Sequence, residues 1–282
     1  MGLVGVVGAG VMGIGVAQVL AEHDHEVIVV DLDDRVIERA RRQLAQNVRL
    51  QRLYGGSDVS AQPDQVMGAV RFSADCTELG KAGYVIENVT EKWDVKEQVY
   101  RQLDDVCGDE CILAANTSAI PITRIAAVTR RPGKVIGIHF MNPVPAKGTV
   151  ELIPGFHTSE ETVRETRELL ASIGKEAISV GDSPGFVSNR VLMLTINEAA
   201  CLVYENVADA ATVDRVFVSC FGHPMGPLAT ADLIGVDTIL YSIEVLYENF
   251  GDSKYRPCPL LRRMVDAGLH GRKSGQGFFS YA

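Results

Sequence analysis

A histidine and a glutamate twelve residues apart are the first pair in this 282-residue chain whose types could do chemistry together. His139 closes an apolar run, Val135-Ile136-Gly137-Ile138. It precedes Phe140-Met141-Asn142-Pro143-Val144-Pro145, a loop stiffened by two prolines. An imidazole that titrates near neutrality suits proton abstraction from an alcohol during hydride transfer. Such a base needs an orienting partner, most naturally a carboxylate, on its other ring nitrogen. Glu151 stands between Val150 and Leu152 in the next apolar segment, where a carboxylate needs a partner of its own. On the residues alone a plainer reading stays open: a core histidine bonded to backbone, and an edge-strand glutamate. Glu87, Asn116, Ser118 and Asn142 also stand at or just beyond the ends of apolar runs. In an open parallel sheet those ends are where ligands bind.

A second constellation lies near the start. Leu3 to Val7 reads as a buried strand and runs into Gly8-Ala9-Gly10-Val11-Met12-Gly13, the pattern G-x-G-x-x-G. Gly8 allows a tight turn, Gly10 a close approach of backbone to a pyrophosphate, and Gly13 close packing of helix on strand. The following helix offers its N-terminal N–H groups and positive dipole end to the anion. A second strand, 25–30, ends at Asp31, 18 residues after Gly13, where a carboxylate can accept from the adenine ribose hydroxyls. A 2′-phosphate would face Asp31, Asp33 and Asp34, so the expected cofactor is NAD.

The elements that must position these residues alternate between strand and helix. Strands are expected at 70–73, 84–88, 111–115, 135–138, 149–153 and 177–180, and helices at 12–20, 35–53, 95–106 and 160–173. After Asp182-Ser183-Pro184-Gly185 the strand signals stop, and helices are expected at 187–204, 210–220, 228–249 and 260–267. The pattern predicts an α/β chain: a Rossmann-type dinucleotide-binding domain over 1–182, then an all-α domain over 183–282.

Composition narrows the classes. Hydrophobic residues make up 46% and charged residues 22%, as in ordinary globular proteins, which excludes disorder and coiled coil as the main architecture. The net charge of −9 argues against nucleic acid unless a basic patch exists. The charge-free stretch 1–21 has the length of a membrane span, but its six glycines and the lack of a basic leader argue against a span or signal peptide. Six cysteines without a CxxC pair suggest reduced thiols in the cytoplasm and no metal site.

The chain resembles the 3-hydroxyacyl-CoA dehydrogenase family over essentially its whole length. The matching segments are G-A-G-V-M-G-I-G-V-A-Q-V at 8–19, A-N-T-S-A-I at 115–120, I-H-F-M-N-P-V-P at 138–145 and V-E-L-I at 150–153. They continue with S-P-G-F-V-S-N-R at 183–190, M-G-P-L at 225–228, D-L-I-G-V-D at 232–237 and G-R-K-S-G-Q-G-F at 271–278. The resemblance implies that His139 takes the 3-hydroxyl proton of an acyl thioester and that Glu151 orients it. It implies that Ser118 and Asn189 hydrogen-bond the substrate near its reacting oxygen and thioester. It places Glu91, Lys96, Asn116, Ser118, Asn142 and Lys273 about the nicotinamide cofactor, beside the glycine-rich loop and Asp31. Asn189 would be brought in from the helical domain by closure. That domain forms a two-fold dimer in the family, which implies a homodimer; the apolar stretch 233–250 could equally be the domain's own core.

Two departures bear on the substrate. The family's serine and lysine-rich run in and after the second helix hold coenzyme A, whereas Asn47 and Tyr54 stand here and no lysine precedes Lys81. Arg41, Arg42, Arg49 and Arg52 are either a substitute clamp or a solvated helix face. Further, E-N-V-T-E-K-W-D-V-K at 87–96, N-T-S-A-I-P-I-T-R-I-A at 116–126 and D-S-K-Y-R-P-C-P-L-L-R at 252–262 resemble a branch serving polyketide extender-unit pathways. That branch oxidises a glyceryl group on an acyl carrier protein, toward hydroxymalonyl or methoxymalonyl units. The expected substrate is therefore glyceryl on a carrier protein, with a short-chain 3-hydroxyacyl-CoA such as 3-hydroxybutyryl-CoA as the alternative.

Overall fold

Short runs of β-branched residues, uninterrupted by polar ones, become strands buried on both faces: Val4–Val7 and Val27–Val30 have every residue buried. The computed structural model describes residues 2–54 and 62–281, the side chains of 51–54 excepted. Arg52, Tyr54 and the Gly55-Gly56-Ser57 helix stop therefore lie outside the described side chains or residues. The chain divides into two compact units, Met1–Asp182 and Ser183–Ala282.

The first unit alternates as β1 (Val4–Val7), α1 (Val11–Glu22), β2 (Val27–Val30), α2 (Asp34–Tyr54), α3 (Pro63–Ala69), β3 (Val70–Ser73), β4 (Tyr84–Glu87), α4 (Trp93–Val106), β5 (Ile112–Ala115), α5 (Ile122–Ala126), β6 (Val135–Phe140), β7 (Thr149–Pro154), α6 (Glu160–Ser172) and β8 (Glu176–Ser179). The strands form one sheet in the order β3-β2-β1-β4-β5-β6-β7-β8. The order reverses between β1 and β4, the crevice where a doubly wound sheet binds ligands. One face is covered by α1, α2, α3 and α6, whose Ile14, Leu20, Leu44, Val66 and Leu169 join Val6, Ile136, Ile138 and Leu152 in one apolar cluster.

All neighbouring strands are parallel except β6 and β7. Only eight residues, 141–148, connect these two. A parallel return needs a crossover of roughly a dozen residues or more, so the chain turns back beside itself. The register then sets His139 directly opposite Glu151. Side chains alternate across a sheet, and Ile138 and Leu152 face the α1 side. His139 and Glu151 consequently share the other face, where Ile122 of α5 packs so tightly on Gly137 that a Cβ there would lie 2.5 Å from it.

The second unit is helical: α7 (Ser188–Tyr204), α8 (Ala210–Phe221), α9 (Pro227–Ile234), α10 (Val236–Phe250) and α11 (Pro259–Asp266). The single helix expected over 228–249 is two helices. Gly235 between them has φ +111°, which no continuing right-handed helix adopts. Ile196, Leu228, Val236, Ile239, Ile243 and Leu261 build the core of this unit. Within the stretch 233–250, Val236, Ile239, Leu240, Ile243 and Leu246 are therefore the unit's own core. Leu233, Ile234, Tyr241 and Tyr247 keep exposed faces.

Candidate active site

The glycine-rich turn is shaped by sterics. Gly8 has φ +91°, and a Cβ on it would lie 2.8 Å from the Asn88 carbonyl. A Cβ on Gly13 would fall 1.8 Å from the Gly8 carbonyl oxygen, so α1 can sit here only on glycine. Gly10 is different: nothing of the protein lies within 4 Å of where its Cβ would be. The N-terminus of α1 has no side-chain cap. A helix leaves its first N–H groups without helical partners, so Gly10, Val11 and Met12 line a ready anion cradle. The opening beside Gly10 and the uncapped helix fit the pyrophosphate of NAD. The Ala9 N–H is turned inward and donates to Asp31 Oδ2 at 2.6 Å, while the Leu32 N–H donates to Oδ1 at 2.6 Å. These two bonds aim the Asp31 carboxylate, whose oxygens keep lone pairs for ribose hydroxyls. Asp33 is used otherwise: its Oδ1 accepts from the Arg35 and Val36 N–H groups and caps α2.

The chemical half sits at the ends of β4, β5 and β6. His139 Nδ1 lies 2.8 Å from Glu151 Oε2, and both residues are buried, at 5% and 8% exposure. Its Nε2 lies 3.1 Å from Ser118 Oγ. The carboxylate on Nδ1 makes Nδ1 the protonated nitrogen of the neutral ring and leaves Nε2 the base. Asn116 fastens the strand ends: its amide donates to Asn88 Oδ1 at 2.7 Å and its carbonyl accepts from the Phe140 N–H at 3.2 Å.

Glu91, from the loop after β4, reaches into the turn after β5. Its Oε1 accepts from the Thr117 hydroxyl, from the Ser118 and Ala119 N–H groups at 2.9 Å each, and from the Ile120 N–H at 3.4 Å. Its Oε2 is 3.6 Å from Lys96 Nζ. Lys96 is wholly buried, and its ammonium donates to both oxygens of buried Glu87 at 2.9 and 2.8 Å. Burial disfavours that ammonium, but Glu87 and then Glu91 outweigh it and hold its pKa above the ordinary lysine range. Lys96 was expected to touch the cofactor directly. Its ammonium lies sealed between Glu87 and Glu91.

Asn142 is exposed directly after β6. In the second unit, Lys273 Nζ pairs with Asp237 Oδ2 at 2.7 Å, and Asn189 is the second residue of α7. Burial works against the Asp237 carboxylate, but the Lys273 ammonium and the Thr238 N–H outweigh it, so its pKa lies below the usual range. On α2, Arg42 pairs with Glu38 and Arg41 stacks over Phe72, while Arg35, Arg39 and Arg49 are exposed. Among the described residues no group of His, Cys, Asp and Glu could hold a metal, and no helix is long and apolar enough to cross a membrane.

Family models cover nearly the whole chain. The NAD binding domain of 3-hydroxyacyl-CoA dehydrogenase matches residues 3–183, and the C-terminal domain of 3-hydroxyacyl-CoA dehydrogenase matches residues 185–281. The chain belongs to the 3-hydroxyacyl-CoA dehydrogenase family. It is an NAD-dependent oxidoreductase acting on CH–OH groups, built as a Rossmann-type domain followed by a helical one. A probable 3-hydroxybutyryl-CoA dehydrogenase of Deinococcus radiodurans is 44% identical over 277 residues, 98% of this chain and 99% of that one. The 3-hydroxybutyryl-CoA dehydrogenase of Bradyrhizobium diazoefficiens is 41% identical over 99% of this chain and 94% of its own. The crystal structure of (S)-3-hydroxybutyryl-CoA dehydrogenase PaaH1 from Ralstonia eutropha superposes with a TM-score of 0.92 at 41% identity, covering 99% of each chain.

Sequence reading missed Asn88, Thr117 and the clamping role of Glu91. Their only signal is position at the end of a strand, because their partners are 26 to 29 residues away.

Proposed function

We propose that this enzyme interconverts a short-chain 3-hydroxyacyl-CoA, of the 3-hydroxybutyryl class, and its 3-oxo counterpart. The observation that carries the reaction is the buried His139–Glu151 pair with Ser118 at the other ring nitrogen. NAD, when bound, supplies the two-electron acceptor. His139 Nε2 receives the proton of the 3-hydroxyl, and Glu151 stabilises the imidazolium that results. The Ser118 hydroxyl donates to the substrate oxygen and keeps it within reach of Nε2. Glu91, Asn116, Asn142 and Lys273 belong to the cofactor surroundings in this reading, and Asn189 to the thioester.

The CoA substrate replaces the carrier-protein expectation as the leading reading, because the full-length relatives described above are named for 3-hydroxybutyryl-CoA. The exposed arginines of α2 suit an acidic carrier protein as well as CoA phosphates and do not separate the two substrates. The exposed Leu233, Ile234, Tyr241 and Tyr247 support a homodimer through the helical unit, testable by light scattering.

The test is oxidation of NADH with acetoacetyl-CoA, beside reduction of NAD with glyceryl on an acyl carrier protein. Turnover of the CoA thioester supports the proposal. Turnover confined to the carrier-bound substrate overturns it in favour of extender-unit chemistry.

A further inference from the structure

Glu87 is a carboxylate at the end of a central strand with essentially no exposure, and the proposed proton transfer gives it no part. A buried ion pair is costly to desolvate and is weak ground for stability alone, so its place in the molecule matters more than its presence. Its place is beneath the site. Lys96 Nζ bonds Glu87 on one side at 2.8 and 2.9 Å and meets Glu91 on the other at 3.6 Å. The second Glu87 contact is to its own loop: Oε1 accepts from the Val89 N–H at 2.6 Å, two residues before Glu91. Glu91 in turn gathers three backbone N–H groups and one hydroxyl from residues 117–120. The Ser118 hydroxyl then meets His139 Nε2 at 3.1 Å. Every link from the buried carboxylate to the reacting nitrogen is a direct contact.

We infer that Glu87 is a positioning residue for the reaction: through Lys96 and Glu91 it fixes the 117–120 turn where the Ser118 hydroxyl meets His139. The inference rests on the proposed role of Ser118. Lys96 is the cation shared by the two carboxylates: it faces Glu91 from behind the turn, and Glu87 keeps Lys96 from swinging away. Displacements of about 1 Å in such groups can cost on the order of 100-fold in rate.

The test is a double-mutant cycle on kcat with acetoacetyl-CoA and NADH, using Glu87→Gln and Ser118→Ala. Glu87→Gln is expected to lower kcat about tenfold in the parent enzyme and less than twofold in the Ser118→Ala background. An equal fall in both backgrounds, or none in the parent, overturns the inference. If Ser118→Ala alone leaves kcat unchanged, the reading of Ser118 fails and the inference falls with it. A fall with Ser118→Ala but additive effects removes the inference only. A second readout needs no turnover. In the enzyme without substrate, the imidazole resonances of His139 should shift in Glu87→Gln toward their position in Ser118→Ala. Resonances that stay at the parent position contradict the inference. Should Glu87→Gln fold poorly, the paired variant Glu87→Leu/Lys96→Met removes both charges together, and parent-like kcat in it would equally overturn the inference.

Discussion

The glycine turn after β1 and the polar network at the ends of β4, β5 and β6 stand side by side on one sheet, yet they are built on opposite principles. The turn is made of missing atoms. Gly8, Gly10 and Gly13 work because a Cβ would collide with backbone at the first and last, or intrude on the open space at the second. The network is made of added polar atoms in a buried place, each satisfied by a partner far off in the chain: Glu91 by residues 117–120, His139 by Glu151 and Ser118. A steric device is local and legible in three residues of sequence. A polar device depends on tertiary register and shows only once the strands are paired.

The comparison can be broken most severely at Gly13. With its Cβ placed 1.8 Å from backbone, Gly13→Ala should lower stability by about 3 kcal/mol, the upper end of overpacking costs, read by denaturant unfolding. A cost below 1 kcal/mol would show that the turn yields. Next is Glu151→Gln, which keeps the shape of the pair but removes the charge that fixes the ring tautomer. Its kcat should fall about 100-fold, or about 2.7 kcal/mol of barrier, with NADH affinity changed less than threefold. Gly10→Ala sharpens the contrast within the turn itself. It should melt within about 2 °C of the parent, since its Cβ meets nothing, and still weaken NADH roughly tenfold by fluorescence titration. If both glycine variants behave alike, the division between packing glycine and cradle glycine is wrong.

The smallest effect is one of pH and concerns the cofactor half alone. His25 stands two residues before β2, with Nε2 2.9 Å from Ser172 Oγ. Burial first, with the neighbouring His23 adding to it, lowers its pKa below the ordinary histidine value. Below about pH 6.5 the unfolded chain takes up a proton that the folded one refuses, so stability declines as pH falls through that value. His25→Gln should lose less melting temperature between pH 7 and 5.5 than the parent does. An identical loss would place the titration elsewhere.

Much of the fold was legible for the same reason the turn was. The central strands β1, β2 and β5 are unbroken apolar runs, and all eight strands lie where the sequence places them to within a few residues. Helices α3 and α5 were not legible, being only 7 and 5 residues long, too short for a periodic stripe. The break at Gly235 was hidden because α9 and α10 carry continuous apolar residues on either side of it. Within the site, the types and spacing of His139 and Glu151 suggested a pair. The antiparallel return that sets them opposite each other follows from the short 141–148 connection, which is evident only once the bounds of β6 and β7 are known. The burial of Lys96 was out of reach, since a lysine in an amphipathic helix reads as solvent-facing until β4 supplies Glu87.

The central claim is that His139, held by Glu151, is the base for the alcohol proton. It is tested most directly by single-turnover oxidation of NADH with acetoacetyl-CoA in His139→Gln, with NADH affinity measured in parallel. The account predicts a rate lower by about 10³-fold, within the span of general-base contributions, and an affinity within threefold of the parent. A rate within tenfold of the parent, at unchanged affinity, would contradict it.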